Sequence, residues 1–375
     1  MSIGNKNPLL LIVLGIMLSA SSAFAQSAEL HTAARFIKAG SEQLKARDYL
    51  AARDSFEQAL RYNDDSGAAH LGLGIAFYHL RDDGYAAREL NRAASINPRE
   101  ALAFQFLGEL YYRRDDLALA ISYWEKAVEL NPSADNLRVR LERIRKEHGA
   151  EKDFNHDVTS HFQVKFDGRE RIDTGRIVLR VLEDAYHEVG RALSYYPDNE
   201  IQVILYSGQQ FQEVTDAPGW SGGIYDGKIR IPIGGIEQET PALRRILFHE
   251  YTHAVVRAIT PRCPTWLNEG LAQYFEGRPL DPRQKAALTR MSQEGKLPQF
   301  TSLEGPFLGL DTKQAGLAYA VSLSAVRYIV DSFGMYRIRY VLDELAAGAS
   351  TSRAINNGIT LSSEELERGW KQSLE

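Results

Sequence analysis

The stretch LFHEYTHA places His249 and His253 four positions apart, with Glu250 directly after the first histidine. Apolar residues flank the motif, so its natural host is a helix, on which positions four apart project from one face. Two neutral imidazoles on one face suit zinc, and the carboxylate of Glu250 can approach a water molecule without occupying the metal. The alternative is a polar patch on an ordinary helix. The pattern therefore predicts a hydrolytic zinc site in which Glu250 is the general base.

A catalytic zinc ion normally takes a third protein ligand, and Glu269 is the nearest candidate. It lies in the stretch PTWLNEGLAQYFEG among apolar neighbours, where a carboxylate costs free energy unless it is paired or bound to metal. The short preceding segment RAITPRC contains a proline and can turn the chain back toward the histidines. We therefore expect His249, His253 and Glu269 to bind Zn²⁺. Asn268 and Gln273 are candidate hydrogen-bond partners of these ligands.

The pair of motifs HExxH and WLNEGLA resembles the glutamate-zinc peptidases, the gluzincins, and in particular the peptidase MA-like domains. The resemblance covers residues 154–375 and includes the terminal stretch LSSEELERGWKQSLE. It implies that the chain is a zinc metallopeptidase that hydrolyses peptide bonds. Carried over by position, it implies that His249, His253 and Glu269 bind zinc. It also implies that Glu250 activates water.

The resemblance also points to an oxyanion donor. Gluzincins often use a tyrosine or histidine from a helix that follows the glutamate ligand, because attack on a carbonyl develops negative charge on its oxygen. Tyr319, in the stretch GLAYAVS, is the best-placed candidate. The alternative is a buried tyrosine that packs in the helical core.

One motif of the related aminopeptidases is missing. Zinc aminopeptidases that share WLNEGxA carry a GxMEN strand, whose glutamate holds the free amine of the substrate. The corresponding stretch, GGIYDGKIRI, lacks that glutamate and offers only Asp226. The comparison favours an endopeptidase-like site, in which an edge strand pairs with an extended substrate.

Strand and helix periodicities alternate after Gly149 and indicate the elements that position the motifs. Pro232 would suit an edge strand because proline cannot donate to a central ladder, and Thr265 is the expected N-cap of its helix. Strands followed by helices indicate an α+β domain. Strands are predicted at 158–168, 200–207 and 222–235, and helices at 176–193, 241–259, 265–275, 316–333 and 335–345.

The N-terminal third of the chain repeats with a period of about 34 residues, which resembles the tetratricopeptide repeat. Stacked pairs of amphipathic helices build an all-α solenoid with a concave surface, so we expect a protein partner at the repeat surface. The alternative is a purely structural array. The copies lie at about 33–66, 67–100 and 101–134, a capping helix is predicted at 136–149, and together they form a domain over residues 26–150.

Residues 1–25 are typical of a secretory signal peptide. Lys6 precedes the apolar run LLLIVLGIML, and Ala23-Phe24-Ala25 fits a cleavage site. We therefore expect an exported protein, periplasmic or secreted, with no membrane span after cleavage; the alternative is an uncleaved N-terminal anchor. The single cysteine, Cys263, excludes an internal disulfide.

The charge balance narrows the classes of partner. The net charge is −5 and 25% of residues are charged, which does not indicate a nucleic-acid or anionic-membrane partner. Two functions remain. One is a zinc peptidase whose repeats recruit a protein or peptide substrate or a partner, and the other is an interaction scaffold whose peptidase-like domain is weakly active or inactive.

Overall fold

The computed structural model describes residues 8–167, 172–215, 223–233, 238–307 and 310–374, with the backbone alone for residues 8–25 and Ile172. The chain divides into two compact units, Met1–Gly149 and Ala150–Glu375. Each is described by itself below.

The first unit is built from helices alone in its described residues. Asp48, Asp82 and Asp116 recur at the same place in successive repeats, and each accepts a backbone N–H at the start of the second helix of its pair. This N-capping satisfies donors that the helix itself leaves unpaired. The helices are α1 (Pro8–Lys45), α2 (Tyr49–Tyr62), α3 (Gly67–His79), α4 (Asp83–Ile96), α5 (Ala101–Arg113), α6 (Leu117–Leu130) and α7 (Asp135–Glu151).

Glycines in the first helix of each pair allow the second helix to approach closely. A Cβ on Gly40 would lie 2.8 Å from the ring of Phe56, and one on Gly74 would lie 2.7 Å from Leu90. A Cβ on Gly108 would overlap the indole of Trp124. The large side chain that faces each glycine is buried. The three repeats therefore pack their two helices in the same way, with a glycine against a bulky apolar side chain.

The predicted signal peptide, residues 1–25, falls partly outside the description. Residues 1–7 lie outside the described residues, and the predicted cleavage point after Ala25 lies within α1 (Pro8–Lys45). In the part of the chain that the structure covers, no helix combines the length and apolar character needed to cross a membrane.

The second unit contains a five-stranded mixed sheet with helices packed against it, which confirms the α+β fold class. The strand order is β1-β2-β3-β5-β4. The pairs β2–β3 and β3–β5 are parallel, and the outer pairs β1–β2 and β4–β5 are antiparallel. The strands are β1 (Phe154–Val158), β2 (Phe162–Asp167), β3 (Ile201–Tyr206), β4 (Ile224–Tyr225) and β5 (Ile229–Pro232).

The prediction that Pro232 marks an edge strand is wrong. The order of the described strands puts β5 inside the sheet and the two-residue β4 at its edge. Proline is tolerated there because it is the last residue of β5, whereas the described part of β4 pairs only with Ile229 and Arg230. The ends of the predicted strand 222–235 lie outside the described residues.

Nine α-helices and one short 3-10 helix (Phe300–Leu303) complete the described part of the second unit. The helices that carry the motifs, α10 and α11, have the predicted bounds, but Pro264 rather than Thr265 occupies the N-cap position of α11. The Thr265 hydroxyl instead donates to the carbonyl of Glu304, which fixes the start of the helix from outside. The helices are α8 (Ile172–Leu193), α9 (Gly208–Thr215), α10 (Pro241–Ile259), α11 (Thr265–Phe275), α12 (Pro282–Gln293), α13 (Thr312–Phe333), α14 (Met335–Ala346), α15 (Thr351–Ile359) and α16 (Ser363–Gln372).

Gly270 sets the distance between α11 and α13. A Cβ at Gly270 would overlap the backbone carbonyl of Ser322 and lie 2.6 Å from a methyl of Val326. Backbone cannot rotate away as a side chain can, so only glycine permits this approach. The close packing brings Tyr319, on α13, toward the helix that carries Glu269.

Candidate metal centre

His249 and His253 on α10 and Glu269 on α11 converge on one point. The Nε2 atoms of His249 and His253 lie 3.1 Å apart. Oε2 of Glu269 lies 3.6 Å from the first Nε2 atom and 3.7 Å from the second. The four-residue spacing places both imidazole rings on one face of α10, and the neighbouring helix α11 supplies the carboxylate.

The size of this triangle fits a divalent cation. A point equidistant from the three ligand atoms lies roughly 2 Å from each, which is the bond length of zinc to histidine nitrogen and carboxylate oxygen. Oε2 of Glu269 is buried and has no hydrogen-bond partner among the described residues. A buried carboxylate oxygen without a partner is costly, and a bound cation would remove that cost. The three residues therefore fit a zinc ion.

Glu276 orients one ligand and was missed in the sequence. Its Oε1 atom lies 2.6 Å from Nδ1 of His249. If Nδ1 carries the proton and donates to this carboxylate, Nε2 keeps its lone pair for a metal. Glu276 follows Glu269 by seven positions, two helical turns along the same face of the helix, and that spacing is the signal that could have found it.

The charges of the cluster are strongly coupled. Burial opposes charge on His249, but its contacts with Glu269 and Glu276 outweigh burial and raise its pKa well above the ordinary value. Burial opposes ionisation of Glu269, yet the two histidines lower its pKa. Burial lowers the pKa of His253. A proton and a divalent cation would therefore compete for Nε2 of His249.

Asn268 and Gln273 differ in what they support. The Asn268 side chain lies near the ring of His253 and raises its pKa, which burial lowers. Nδ1 of His253 itself makes no hydrogen bond among the described residues. The amide of Gln273 donates to the backbone carbonyls of Glu269 and Tyr319, at 3.2 and 3.0 Å. Gln273 therefore ties α11 to α13 rather than holding a ligand side chain.

Glu250 lies beside the start of β4. Its side chain is buried, and burial raises the pKa of its carboxyl to about 7. A Cβ on Gly223 would lie 2.9 Å from Oε1 of Glu250, so the backbone approaches this carboxylate as closely as a glycine allows. A carboxyl group with a pKa near neutrality can accept a proton at one stage of a reaction and return it at another.

Tyr319 lies near the two acidic groups of the centre. Burial raises the pKa of its hydroxyl, and the charges of Glu269 and Glu250 raise it further. Its ring meets Phe307 edge to face, with 5.5 Å between centroids. The side chain is only partly buried, and its hydroxyl makes no hydrogen bond within the residues that the structure describes. The hydroxyl of Tyr319 is therefore available as a hydrogen-bond donor.

Asp226 forms an ion pair with a buried arginine. It lies in the turn between β4 and β5, and its Oδ1 atom is 3.2 Å from Nε of the fully buried Arg230. The same guanidinium donates a hydrogen bond to the hydroxyl oxygen of Tyr206 at 2.7 Å. Because Asp226 is paired in this way, it is a poor replacement for the amine-binding glutamate of aminopeptidases.

Comparison with known families identifies both parts of the chain. The model of the Peptidase MA superfamily matches residues 187–375, and models of the tetratricopeptide repeat match residues 37–101 and 101–134. The chain is 26% identical over 105 residues to anaphase-promoting complex subunit 3 of Schizosaccharomyces pombe, covering 28% of this chain and 16% of that protein. It is 23% identical over 168 residues to BBSome complex member BBS4 of Bos taurus, covering 45% of this chain and 26% of that protein.

The chain thus spans less than a third of the length of these curated relatives. Among solved structures, the first tetratricopeptide domain of Spaghetti (RPAP3) bound to an HSP90 peptide is 18% identical. That likeness covers 32% of this chain and 95% of that one, with a TM-score of 0.31. Since the superfamily model matches half of the chain, including the helices that carry the three convergent ligands, the chain belongs to the Peptidase MA superfamily, with tetratricopeptide repeats ahead of that domain.

Proposed function

We propose that the protein is an exported zinc-dependent metallopeptidase that hydrolyses peptide bonds in a protein or peptide substrate. The observation that carries the proposal is the convergence of His249, His253 and Glu269, whose ligand atoms all lie within 4.8 Å of one another. Zinc suits two imidazoles and one carboxylate better than magnesium or calcium, which prefer oxygen ligands alone. When bound, zinc would lower the pKa of water and polarise the substrate carbonyl.

The residues of the chain divide the remaining work. Glu250 takes the proton from the attacking water and later delivers it to the leaving amine, which is consistent with a pKa of about 7. Tyr319 donates a hydrogen bond from its hydroxyl to the oxygen of the attacked carbonyl, where negative charge develops. Glu276 holds His249 in one orientation through its Nδ1 atom.

An endopeptidase-like geometry fits the sheet edge. β4 is the edge strand of the described sheet, and Gly223, the residue before it, lies close to the carboxylate of Glu250. An extended substrate that pairs with such an edge brings its backbone carbonyl past the catalytic carboxylate. The engagement of Asp226 by Arg230 supports this proposal, because a free substrate amine would find no acidic partner there.

The repeats and the N-terminus complete the proposal. Tetratricopeptide repeats present a concave surface suited to a protein segment, so we assign them the recruitment of a protein partner or substrate. The apolar N-terminal run and the Ala23-Phe24-Ala25 site support export to the periplasm or beyond, with cleavage after Ala25.

A casein-cleavage assay with zinc-loaded protein tests the proposal. Wild-type protein should cut casein, a chelator should stop cleavage, and added zinc should restore it. Glu250→Gln should abolish cleavage while the protein keeps its zinc and its thermal stability. No cleavage by the zinc-loaded wild type, or equal cleavage by Glu250→Gln, would instead favour the interaction scaffold as the function.

A further inference from the structure

A pocket of about 320 Å³ adjoins the metal centre at Glu276. Its walls come from the first half of α10 and the end of α11, together with Glu188 of α8. It shares Glu276 with the metal centre, since that side chain lines the pocket and also binds Nδ1 of His249. Glu276 therefore connects the pocket to the candidate reaction site.

Two adjacent arginines line this pocket but differ in their partners. Arg244 lies 2.7 Å from Asp184 and 3.6 Å from Glu239, and its guanidinium covers the ring of Phe248 at 4.5 Å. Arg245 is half-buried and makes no ion pair or hydrogen bond within the described ranges of the chain. The pocket thus holds one guanidinium that is fully engaged and another whose donors are available.

The position of Arg245 relates it to the reaction site. It precedes His249 by four residues, as His249 precedes His253, so all three lie on one stripe of α10. Residues four apart on a helix have Cβ atoms about 5–6 Å apart. An extended peptide advances roughly 3.3 Å per residue, so the helical offset between Arg245 and His249 corresponds to about two residues of an extended substrate.

The negative charges near Arg245 do not neutralise it. Glu276 accepts from His249, and its second oxygen lies 3.9 Å from Nε of Arg278. Glu188 lies 3.9 Å from Arg244. A partly desolvated guanidinium with free donors favours a planar carboxylate, which it can bind through two parallel hydrogen bonds.

We propose that Arg245 binds a carboxylate of the substrate about two residues from the scissile bond, so the site prefers an acidic side chain or a free C-terminal carboxylate there. This inference rests on the proposed peptidase function for its biological meaning. Its physical content, carboxylate recognition by Arg245, can be measured without turnover.

The test uses short synthetic peptides that carry Glu or Gln at one position, each with a free or an amidated C-terminus. Binding is measured by fluorescence anisotropy on zinc-loaded protein carrying Glu250→Gln, and cleavage by wild-type protein is followed by mass spectrometry. We expect a Glu peptide or a free-acid peptide to bind about tenfold more tightly than its neutral counterpart, as for one charge-assisted pair. Arg245→Ala should remove that preference, and Arg245→Lys should restore part of it.

The matched control is Arg257→Ala, which removes an exposed positive charge from the last turn of the same helix and should leave the preference unchanged. Loss of the Glu-over-Gln ratio alone assigns an acidic side chain, and loss of the acid-over-amide ratio alone assigns a C-terminal carboxylate. The inference is wrong if Arg245→Ala leaves both the Glu-over-Gln and the acid-over-amide binding ratios unchanged. It is also wrong if neither ratio exceeds one in the protein that keeps Arg245. If the preference depends on Arg245 but no peptide is cleaved, the proposed function fails and carboxylate recognition stands.

Discussion

Replacing Glu276 by alanine should weaken zinc binding, although Glu276 is not itself a ligand. The variant removes the carboxylate that lies 2.6 Å from Nδ1 of His249. Without it, the ring can rotate and its proton can move to Nε2, the atom that must bind the metal.

The size of the effect follows from the kind of contact that is lost. The side chains of His249 and Glu276 are 19% and 12% exposed, so water replaces their hydrogen bond only in part. A hydrogen bond to a charged group contributes about 1.5–3 kcal/mol. That range corresponds to a loss of roughly 10- to 100-fold in zinc affinity, the usual effect of removing a partner that orients a ligand. Glu276→Gln keeps an acceptor oxygen without its charge and should lose about tenfold.

The assay is competition for zinc between the purified protein and a chromophoric chelator. Glu294→Ala is the control, because Glu294 pairs with Lys296 on the surface and should leave zinc affinity unchanged. An affinity for Glu276→Ala within twofold of the wild type would refute the role given to Glu276. Circular dichroism should show the same helical content in all variants.

Three further variants test the cleft and its supports. Tyr319→Phe should lower kcat for peptide hydrolysis by about 10²–10³-fold with zinc content unchanged, and an unchanged kcat would make Tyr319 a packing residue. Gly223→Ala places a methyl 2.9 Å from Oε1 of Glu250 and should lower kcat by up to about 100-fold without loss of zinc, whereas full activity would show that the close approach is not needed. Gly270→Ala should destabilise the fold by about 1–3 kcal/mol in thermal unfolding, because its Cβ meets the backbone of α13. Gly316→Ala meets nothing within 4 Å and should not destabilise; equal stability of the two variants would contradict the packing argument.

The helices that carry the ligands could be predicted from the sequence because their signals are local. Apolar residues flank the motif and indicate a helix, and the spacing of four between His249 and His253 places both on one face of it. The proximity of Glu269 required one further argument, the cost of an unpaired carboxylate among apolar residues. Residue type and spacing alone therefore indicate the three residues that the structure brings together.

Other features depend on tertiary contacts that no local pattern reports. β1 was not predicted as a separate strand, since its sequence FNHDV lacks alternation and its residues are half-buried or exposed. The extended structure of β1 comes from its antiparallel pairing with β2. The approach of Gly223 to Glu250 depends on how the chain before β4 lies against α10, and the spacing of Glu276 from Glu269 does not by itself show that Glu276 meets His249. Periodicity indicates which face a residue occupies, and not which side chain of a neighbouring element it meets.

Zinc stoichiometry by mass spectrometry tests the central claim most directly, that two imidazoles and one carboxylate hold a single ion. We predict one zinc per chain after loading and dialysis of the wild-type protein. Variants His253→Ala and Glu269→Ala should keep their fold and lose that zinc at the same dialysis step. A wild-type protein that retains no zinc, or variants that retain it as the wild type does, would contradict the account.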